Sequence, residues 1–532
     1  MPDLILRSVV QPGESTPVDV EITAGTISQI RPTRTNTDAP TIDLDGRTVI
    51  PGLWDEHVHH TQWALAGGRF DLSAAMSARE ALERVHAEIA AAEVAGHHLA
   101  MPLIGVRFRD AIWGDAPSLR GLDAVTQGHP TALISHDLHC VWLNSAAAER
   151  FGVSIDETGL LREQAAFALT IALGQLPDAE ADELALLAGA RAAARGVVGI
   201  VDFEMTWNKD VWQRRIANGF DALRVEASIY LADFDRAVAE RLHTGNVIED
   251  THELLTVGPL KLLIDGSLNT RTAFCVDEYP VGGHGMLTVT EDELVDILHS
   301  AQQVGLLPAV HAIGDAANTV ALNAFEQAHS RGAGVDYRAN RARAQGRTML
   351  PTGSQRGGDG EPATSQGRGI GRIEHAQFLQ ARDFARFALL GVTASVQPEH
   401  ALDDRDAVEV NWARGADRVF ALRSLLDAGA TLAFGSDAPV APLDPFTAMS
   451  AASSRARSDG RGPWRPDQVI SRQQSLAASA RGRTRLRIGD VADIAVLDGD
   501  PLLVSDTVFE RMPVAATLLA GRATHGATLL EP

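Results

Sequence analysis

Four histidines and one aspartate stand where apolar runs of the sequence end, and their side chains are suited to binding a metal ion. His57 and His59 end the run in "DEHVH", His311 follows "LLPAV", His375 follows "GRIE", and Asp437 follows "LAFGS". If these runs are strands, residues two apart point to the same side, so His57 and His59 present two imidazoles together. Imidazole and carboxylate groups are common ligands of zinc in proteins. The set therefore predicts a metal site.

Each of these residues alone also has an ordinary structural interpretation. A single histidine in a strand is more often a hydrogen-bonded core residue, and an aspartate after a strand often caps a helix. An isolated H-x-H pair is weak evidence for a metal site. Because all five residues coincide with predicted strand ends, one shared metal site is favoured over five unrelated roles.

The lysine in "GPLKLLIDG" is a second chemical signal. The sequence has only two lysines, Lys209 and Lys261, and carries nearly all its positive charge on arginine. A charged ammonium in an apolar strand is costly unless it is paired or neutral. The structural alternative is that Lys261 snorkels or pairs with Asp265. The functional interpretation is a neutral, nucleophilic amine that can add carbon dioxide, giving a carbamate that bridges two metal ions.

An alternation of apolar strands and amphipathic helices must position these groups. Eight strand candidates, from "TVIPGLWDEHVHH" to "ATLAFGSDAPV", are separated by helix candidates such as "TEDELVDILHSAQQVG". This alternation predicts a parallel α/β fold, and eight units predict a closed (β/α)8 barrel of the TIM type. Active sites of such barrels lie at the carboxyl ends of the strands, where the five residues are predicted to lie.

The chain divides into a barrel and a smaller domain. Residues 1–50 and 476–532 read as short strands, and we expect them to build one small β-sandwich from both termini. Residues 51–475 are predicted to form the barrel. A large, helix-rich insertion at about 64–195 follows the first strand, and we expect it to fold over the barrel mouth. The Gly-, Ser- and polar-rich stretch at about 331–369 predicts a mobile surface loop.

Composition and charge limit the partners. The 532 residues carry a formal net charge of −22, which argues against nucleic acid or an anionic membrane as the main partner. The two cysteines, Cys140 and Cys275, are too few for a disulfide framework, and we find neither a signal-peptide pattern nor an apolar run of transmembrane length. We expect a cytoplasmic protein with a small-molecule substrate, and a homodimer is the default oligomer.

The chain resembles the amidohydrolase superfamily, and within it amidohydrolase family 3, the branch of YtcJ-like proteins and N-substituted formamide deformylase. The similar strings extend over about residues 45–502 in family order, and they include "VIPGLWDEHVHH", "DLHCVWLNSAA", "KLLIDGSLNTRTA", "HAIGD", "RIEHAQ", "SVQPEH" and "GSDAPVAPLDPF". Each string alone is weak evidence, but the ordered set is specific.

The resemblance implies a metal-dependent hydrolase with one or two zinc ions. The implied metal ligands are His57, His59, Lys261, His311, His375 and Asp437. Lys261, carboxylated, would bridge two ions, and Asp437 would also act as general base. The residues implied to bind substrate are His139, Asn144, Asp265, Ser267 and Arg271.

The predicted reaction is hydrolysis of a non-peptide C–N bond, in an amide, N-formyl or N-acyl group, by a metal-activated hydroxide. Asp437 takes a proton and returns it to the leaving amine, and His311 or His139 stabilises the oxyanion. Three alternatives stay open at this point. They are an esterase or lactonase on the same site, an isomerase or other non-hydrolytic enzyme on this scaffold, and a catalytically inactive metal-binding scaffold.

Overall fold

The computed structural model describes residues 3–33, 39–67, 69–72, 74–94, 102–108, 110, 113–135, 140–162, 164–174, 176–268, 271–332, 369–457 and 460–530. The chain divides into two units. Unit 1 combines Met1–His60 with Gly189–Pro532, and unit 2 is Thr61–Ala188. Within the described ranges, no helix combines the length and apolar character needed to cross a membrane.

The N-terminal strands form one sheet of a β-sandwich, in the order β3-β2-β1-β4. Their bounds are Leu4–Val9 (β1), Val18–Thr23 (β2), Thr26–Pro32 (β3) and Thr41–Asp43 (β4). Ala24 and Gly25 connect β2 to β3 with φ values of 49° and 71°, the left-handed pair that a two-residue hairpin turn requires. A fifth strand, β5 (Thr48–Pro51), pairs with a strand from the C-terminus.

One residue separates β5 from the first barrel strand, β6 (Leu53–Val58). Gly52 joins the two strands, and a Cβ atom there would lie 2.4 Å from the side chain of Val198. Only glycine lets the backbone approach its neighbour this closely. The predicted single strand over residues 48–60 is therefore divided between the sandwich and the barrel. Helix α1 (His60–Gly67) follows β6.

Unit 2 has its own five-stranded sheet, in the order β11-β10-β9-β8-β7. The strands are Arg69–Asp71 (β7), Leu103–Phe108 (β8), Thr131–Ser135 (β9), Cys140–Leu143 (β10) and Leu160–Arg162 (β11). The helices are Ala78–Val94 (α2), Leu119–Thr126 (α3), Ser145–Phe151 (α4), Gln164–Gly174 (α5) and Asp178–Ala193 (α6), the last ending in unit 1. Phe108 and Trp142 are fully buried in the core of this unit. The sequence indicated its helices but not its sheet.

Eight parallel strands form the barrel sheet, in the order β6-β12-β13-β14-β15-β16-β17-β18. After β6 these are Val197–Asp202 (β12), Arg224–Tyr230 (β13), Leu255–Leu263 (β14), Pro308–Ala312 (β15), Gly371–His375 (β16), Val392–Val396 (β17) and Leu432–Phe434 (β18). The first and eighth strands meet where the Asp437 amide donates to the His57 carbonyl at 2.7 Å and the His59 amide to the Ala438 carbonyl at 2.9 Å. The predicted α/β barrel is confirmed.

Helices follow the barrel strands and cover them with apolar side chains. They are Asn208–Ala217 (α7), Phe234–Ala239 (α8), Glu291–Gln303 (α9), Asp315–Gly332 (α10), Phe384–Leu390 (α11), His400–Asp403 (α12), Arg405–Asn411 (α13), Leu422–Asp427 (α14), Pro445–Ser454 (α15) and Arg472–Ser479 (α16). Thr290 and Glu293 form a capping box that fixes the start of α9. Leu298 and Phe325 are fully buried against the strands. Most of the predicted loop at 331–369 lies outside the described residues.

The C-terminal strands complete the sandwich, in the order β21-β20-β19-β5. They are Ile494–Leu497 (β19), Val514–Leu519 (β20) and Arg522–His525 (β21), with the short helix α17 (Asp506–Glu510) between β19 and β20. Leu6 and Val20 from the first sheet share one buried core with Ile494 and Leu518 from the second. The prediction of a small β-sandwich built from both termini is confirmed.

Candidate metal centre and active site

His57 and His59 end the first barrel strand and face the carboxylate of Asp437. Their Nε2 atoms lie 3.6 and 3.5 Å from the same oxygen, Asp437 Oδ1. The three donor atoms all lie within 4.8 Å of one another. Asp437 follows β18 with a φ of 58°, a left-handed conformation that is uncommon outside glycine and is often found at functional sites. The first and eighth strands thus bring three of the predicted ligands together.

The sixth and seventh strands add two more histidines to this cluster. The His375 ring lies with its centroid 5.0 Å from that of His57. His400 Nε2 lies 3.8 Å from the other carboxylate oxygen, Asp437 Oδ2. His375, His400 and Asp437 form a second group whose donor atoms lie within 4.8 Å. The sequence interpretation missed His400, although "SVQPEH" places a histidine four residues after the seventh strand, which was a usable signal.

Burial keeps these imidazoles neutral, the form that binds metal ions. Removal from water holds the pKa of His57 and His375 well below the ordinary value, and it lowers the pKa of His311 to about 3 and that of His400 to about 4. The positive charge of Lys261 adds to the effect at His57 and His311. At neutral pH each ring therefore has a lone pair available for a cation.

The cluster fits a metal ion better than it fits a purely structural role. His375 Nδ1 and His400 Nε2 are buried, and neither has a hydrogen-bond partner among the residues that the structure describes. A buried polar atom without a partner is destabilising, and native proteins usually satisfy it. A cation held by imidazole nitrogens and Asp437 would satisfy these atoms, and this donor set is typical of zinc sites.

Glu374 fixes the orientation of the His57 ring through a hydrogen bond at Nδ1. The His57 Nδ1–H donates to Glu374 Oε2 at 2.6 Å, which leaves Nε2 free to face Asp437. The Ser395 hydroxyl donates to the same Glu374 oxygen at 2.6 Å, and the Arg372 guanidinium pairs with the carboxylate. Histidine ligands of metals are commonly held by such a carboxylate, which sets the tautomer and raises the basicity of the ring. Sequence reasoning missed Glu374.

The ion pairs continue through the barrel interior. Arg372 also pairs with Glu56 at 2.8 Å, and Arg481 pairs with Glu56 at 2.6 Å and with Glu226 at 2.8 Å. The Arg481 guanidinium carbon lies 3.2 Å from the centroid of the Trp54 ring. Barrel interiors are usually filled by branched apolar side chains. Here a network of buried carboxylates and two arginines occupies that space. It ends at a cavity of about 350 Å³, lined by Gly371 and Leu432 at the amino ends of their strands.

Lys261 lies inside the barrel, as its leucine-rich surroundings predicted. It is 2% exposed, and its Nζ lies 4.5 Å from the centroid of the Phe203 ring. Burial lowers the pKa of Lys261 to about 8, the positive charge of Arg372 adds to this, and the carboxylates of Glu374 and Asp437 oppose it. A minor fraction of the amine is therefore neutral near physiological pH, and this neutral form is the nucleophilic one.

His311 lies beside the cluster but turns one nitrogen away from it. Its ring centroid is 4.5 Å from that of His375. His311 Nε2 is 3.3 Å from the Gly266 carbonyl oxygen and 3.6 Å from Asp265 Oδ1. His311 belongs to neither group of close donor atoms found among the described residues. The structure therefore brings His311 to the site without placing it in a ligand group.

Asp265 positions a loop. Its buried carboxylate accepts hydrogen bonds from the backbone N–H groups of Phe274 at 3.0 Å, Ile313 at 3.1 Å and Gly314 at 2.9 Å. Burial raises the pKa of Asp265 to about 7. These bonds tie the loop after β14 to the end of β15. Asp265 thus has a positioning role, and the substrate contact that the resemblance implied stays a prediction.

Asn144 caps a helix within unit 2. Its Oδ1 accepts from the backbone N–H groups of Thr131 and Ala147, both at 2.9 Å, and the latter bond caps α4. Its Nδ2 donates to Thr126 Oγ1 at 2.9 Å and to the His129 carbonyl at 2.7 Å. The side chain is fully buried, and these four bonds use the hydrogen-bonding capacity of the amide. Asn144 thus has a capping role, and its predicted substrate contact stays a prediction.

The other three residues that were predicted to bind substrate are His139, Ser267 and Arg271. His139 lies outside the described residues. Ser267 is half-buried in the loop after β14, where its backbone N–H donates to Thr272 Oγ1 at 3.1 Å. Arg271 is exposed in the same loop, with a φ of 57°. Their substrate contacts stay predictions.

Known proteins are similar to this chain over most of its length. It is 27% identical to protein LONG AFTER FAR-RED 3 of Arabidopsis thaliana over 86% of the chain and 79% of that protein. It is 23% identical to the putative amidohydrolase YtcJ of Bacillus subtilis (strain 168) over 91% of the chain and 90% of that protein. It is 24% identical to N-substituted formamide deformylase of Arthrobacter pascens over 91% of the chain and 89% of that enzyme.

A solved structure shares the fold. An uncharacterized metal-dependent hydrolase from Pyrococcus furiosus superposes with a TM-score of 0.69 at 23% sequence identity, covering 94% of this chain and 99% of that one. The model of the amidohydrolase family matches residues 40–525. This match, together with the His/Asp cluster at the strand ends, supports a metal-dependent hydrolase. The chain belongs to the amidohydrolase family.

Proposed function

We propose that this protein hydrolyses a non-peptide C–N bond, in an amide, N-formyl or N-acyl group of a small molecule, at a zinc site at the carboxyl end of the barrel. The observation that carries the proposal is the shared carboxylate. Asp437 Oδ1 lies 3.5 Å from His59 Nε2 while Oδ2 lies 3.8 Å from His400 Nε2. Asp437 is thus common to both groups of close donor atoms, His57–His59 and His375–His400.

Asp437 has the proton affinity that the reaction needs. Burial raises its pKa to about 7, with Asp55 and Glu374 adding to the rise and Lys261 opposing it. A group with this pKa accepts and releases a proton readily at neutral pH. Asp437 takes a proton from the attacking water and delivers it to the leaving nitrogen, because an unprotonated amide nitrogen is a poor leaving group. The general-base role predicted from the sequence rests on this carboxyl.

A bound divalent ion would polarise the scissile carbonyl and lower the pKa of water at the site. We propose zinc, because neutral imidazoles and a carboxylate match its preferences. His57 and His59 would hold it with Asp437, and Glu374 would keep His57 in the ligating tautomer. The buried, partly neutral amine of Lys261 is suited to carboxylation. We propose that the carboxylated Lys261 faces the same ions.

The protein is also proposed to act in the cytoplasm on a small-molecule substrate. Cys140 and Cys275 are both free and buried, which suits a reducing compartment. The reaction itself predicts an uncharged amide or formamide as the reacting group, with specificity set by the loops around the strand ends.

A paired substrate screen tests the proposed function. Purified protein is analysed for zinc, then incubated with N-formyl, N-acyl and cyclic amides and with esters of the same acyl groups. We expect products heavier than substrate by one water, faster turnover of an amide than of its matched ester, and loss of turnover after chelation. Faster turnover of every ester would favour the esterase alternative, and a product of unchanged mass would indicate isomerisation.

The Asp437→Asn variant serves as the internal control for this screen. The amide side chain keeps the shape of the carboxyl but cannot take up a proton at neutral pH. We expect kcat to fall by about 10²–10⁴-fold, the usual contribution of a general acid or base. Unchanged turnover would remove Asp437 from the mechanism. If the protein holds metal but neither the wild type nor any variant converts a substrate, the inactive metal-binding scaffold is favoured.

A further inference from the structure

Two of the interior glutamates directly precede histidines of the candidate metal centre. Glu56 stands before His57, and Glu374 stands before His375. In a regular strand consecutive side chains point to opposite faces, yet all four of these side chains are buried. The pairing of β6 with β12 shifts register at this point, and His375 ends β16 with a φ of 73°. Such irregularities redirect side chains next to active sites, and here they place a carboxylate beside each histidine.

A continuous chain of ion pairs connects His57 with Arg481. The His57 Nδ1–H donates to Glu374 at 2.6 Å, and the Glu374 carboxylate pairs with Arg372. Arg372 contacts Glu56 twice, since Nη1 donates to Oε2 at 2.8 Å and Nη2 to the backbone carbonyl at 2.7 Å. Arg481 Nε donates to the other carboxylate oxygen of Glu56 at 2.6 Å. The chain thus reaches His57 both at its Nδ1 and at the peptide group that joins it to Glu56.

The Arg481 guanidinium is itself held on three sides. Its carbon lies 3.2 Å from the centroid of the Trp54 ring, its Nη1 donates to Glu226 at 2.8 Å, and its Nε donates to Glu56. A planar guanidinium that binds two carboxylates in fixed directions holds both of them in position. Arg481 lies after α16, outside the eight barrel strands, and no step of the proposed reaction uses it.

We propose that Arg481 is a positioning residue for the metal centre. It fixes Glu56 and Arg372 in place. Their contacts in turn hold Glu374 and the His57 ring, so that His57 Nε2 stays directed to the ion site. Coupling through a contiguous network of this kind typically changes a distant binding equilibrium by about 2- to 30-fold. The inference rests on the proposed function only in requiring that His57 is a metal ligand.

The cavity at the amino ends of the strands gives access for a direct test. Arg481, Glu56 and Glu226 all line this cavity of about 350 Å³, and the Arg481 side chain is 29% exposed. Truncation in Arg481→Ala would enlarge the cavity next to the two carboxylates. A free guanidinium ion can then enter from solvent, pair with both carboxylates and stack on the Trp54 ring.

Two measurements on the full-length protein test the proposal. Competition of Co²⁺ with a chelating indicator gives metal affinity, and NMR of the metal-free protein follows the low-field Nδ1–H proton of His57, identified by its absence from His57→Gln. We expect Arg481→Ala to weaken Co²⁺ binding by about 2- to 30-fold. We also expect its His57 proton to move upfield, because the hydrogen bond to Glu374 becomes weaker. Millimolar guanidinium chloride should restore both readouts, whereas the same concentration of sodium chloride should restore neither.

Arg483→Ala is the matched control, because Arg483 lies two residues further along the same segment and its Nε donates to the Ala480 carbonyl at 3.3 Å. It should match wild type with and without guanidinium. If thermal unfolding shows that Arg481→Ala does not fold, Arg481→Gln, which keeps a neutral N–H donor, takes its place and should show the same direction of change in both readouts.

An unmoved His57 proton in a folded Arg481 variant would overturn the positioning role, even if Co²⁺ binding were weaker. Equal weakening in Arg483→Ala, or a loss in Arg481→Ala that guanidinium does not restore, would overturn it as well. A wild type that binds no Co²⁺ would refute the proposed function, while the His57 proton of the metal-free protein would still decide the role of Arg481.

Discussion

The Glu374→Gln substitution removes the negative charge next to His57 Nδ1 while keeping the shape of the side chain. Glu374 is fully buried, receives the His57 Nδ1–H at 2.6 Å and pairs with Arg372. The glutamine oxygen can still accept from His57, but it is a weaker acceptor than a carboxylate. The His57 ring then becomes a poorer ligand, and Arg372 keeps only Glu56 as its ionic partner.

Two effects of different size are expected from this substitution. Loss of a group that orients a metal ligand typically weakens metal binding by about 10–100-fold, or roughly 1.4–2.7 kcal/mol. Breaking a buried ion pair by removing one partner costs about 3–5 kcal/mol of folding stability. Because Arg372 keeps its 2.8 Å contact with Glu56, we expect a value near the lower end, about 3 kcal/mol.

Two separate assays resolve these effects. Competition with a chelating indicator gives the dissociation constant of the first ion, and urea unfolding of the metal-free protein gives the free energy of unfolding. Glu326→Gln is the matched control, since Glu326 pairs with Arg386 at 3.0 Å but its side chain is 45% exposed. That surface pair should contribute at most about 1 kcal/mol and leave metal affinity unchanged. Wild-type metal affinity in Glu374→Gln would refute the orienting role.

Three further predictions concern the lysine, a buried carboxyl and the core. Lys261→Arg keeps the charge but cannot be carboxylated, so we expect less metal per chain by elemental analysis; full metal content would contradict the proposed role. Burial raises the pKa of the Asp202 carboxyl in the folded protein from 3.8 to about 6. The protonated carboxyl therefore stabilises the folded protein most below pH 3.8, and about 3 kcal/mol of the free energy of unfolding is lost as the pH rises to 6. Urea unfolding of Asp202→Asn at pH 4 and 7 should lack this loss, whereas an unchanged pH profile would exclude Asp202. Phe325→Ala should cost about 3–5 kcal/mol of stability, because Phe325 is fully buried; a loss under about 1 kcal/mol in urea unfolding would contradict this.

Local sequence patterns predicted the barrel well because strands and their ends are local features. The alternation of apolar runs and amphipathic helices predicted all eight barrel strands, and it placed His57, His59, His375 and Asp437 at or next to the ends of those strands, where the structure brings them close together. These predictions needed only strand periodicity and the rule that barrel sites form at carboxyl ends. His400 escaped because it follows its strand by four residues, beyond the last residue of the apolar run.

Partners that are distant in sequence could not be predicted in this way. Glu374 is 317 residues from His57, and Arg481 is 425 residues from Glu56. Which charged side chains meet inside a barrel depends on strand register and stagger, which a single sequence does not specify. For the same reason, the sequence does not predict the four hydrogen bonds that Asn144 makes within unit 2.

The charge network inside the barrel has a consequence for any attempt to shorten the protein. Arg481 belongs to the C-terminal segment, yet it neutralises Glu56 and Glu226 within the barrel. A chain cut after residue 475 would remove the Arg481 ion pair of Glu226 and leave Glu56 paired with Arg372, which also pairs with Glu374. The barrel therefore depends on the C-terminal segment for one of the arginines that neutralise its interior carboxylates. A chain shortened to the eight strands would be destabilised by the loss of the ion pairs that Arg481 makes with these buried charges.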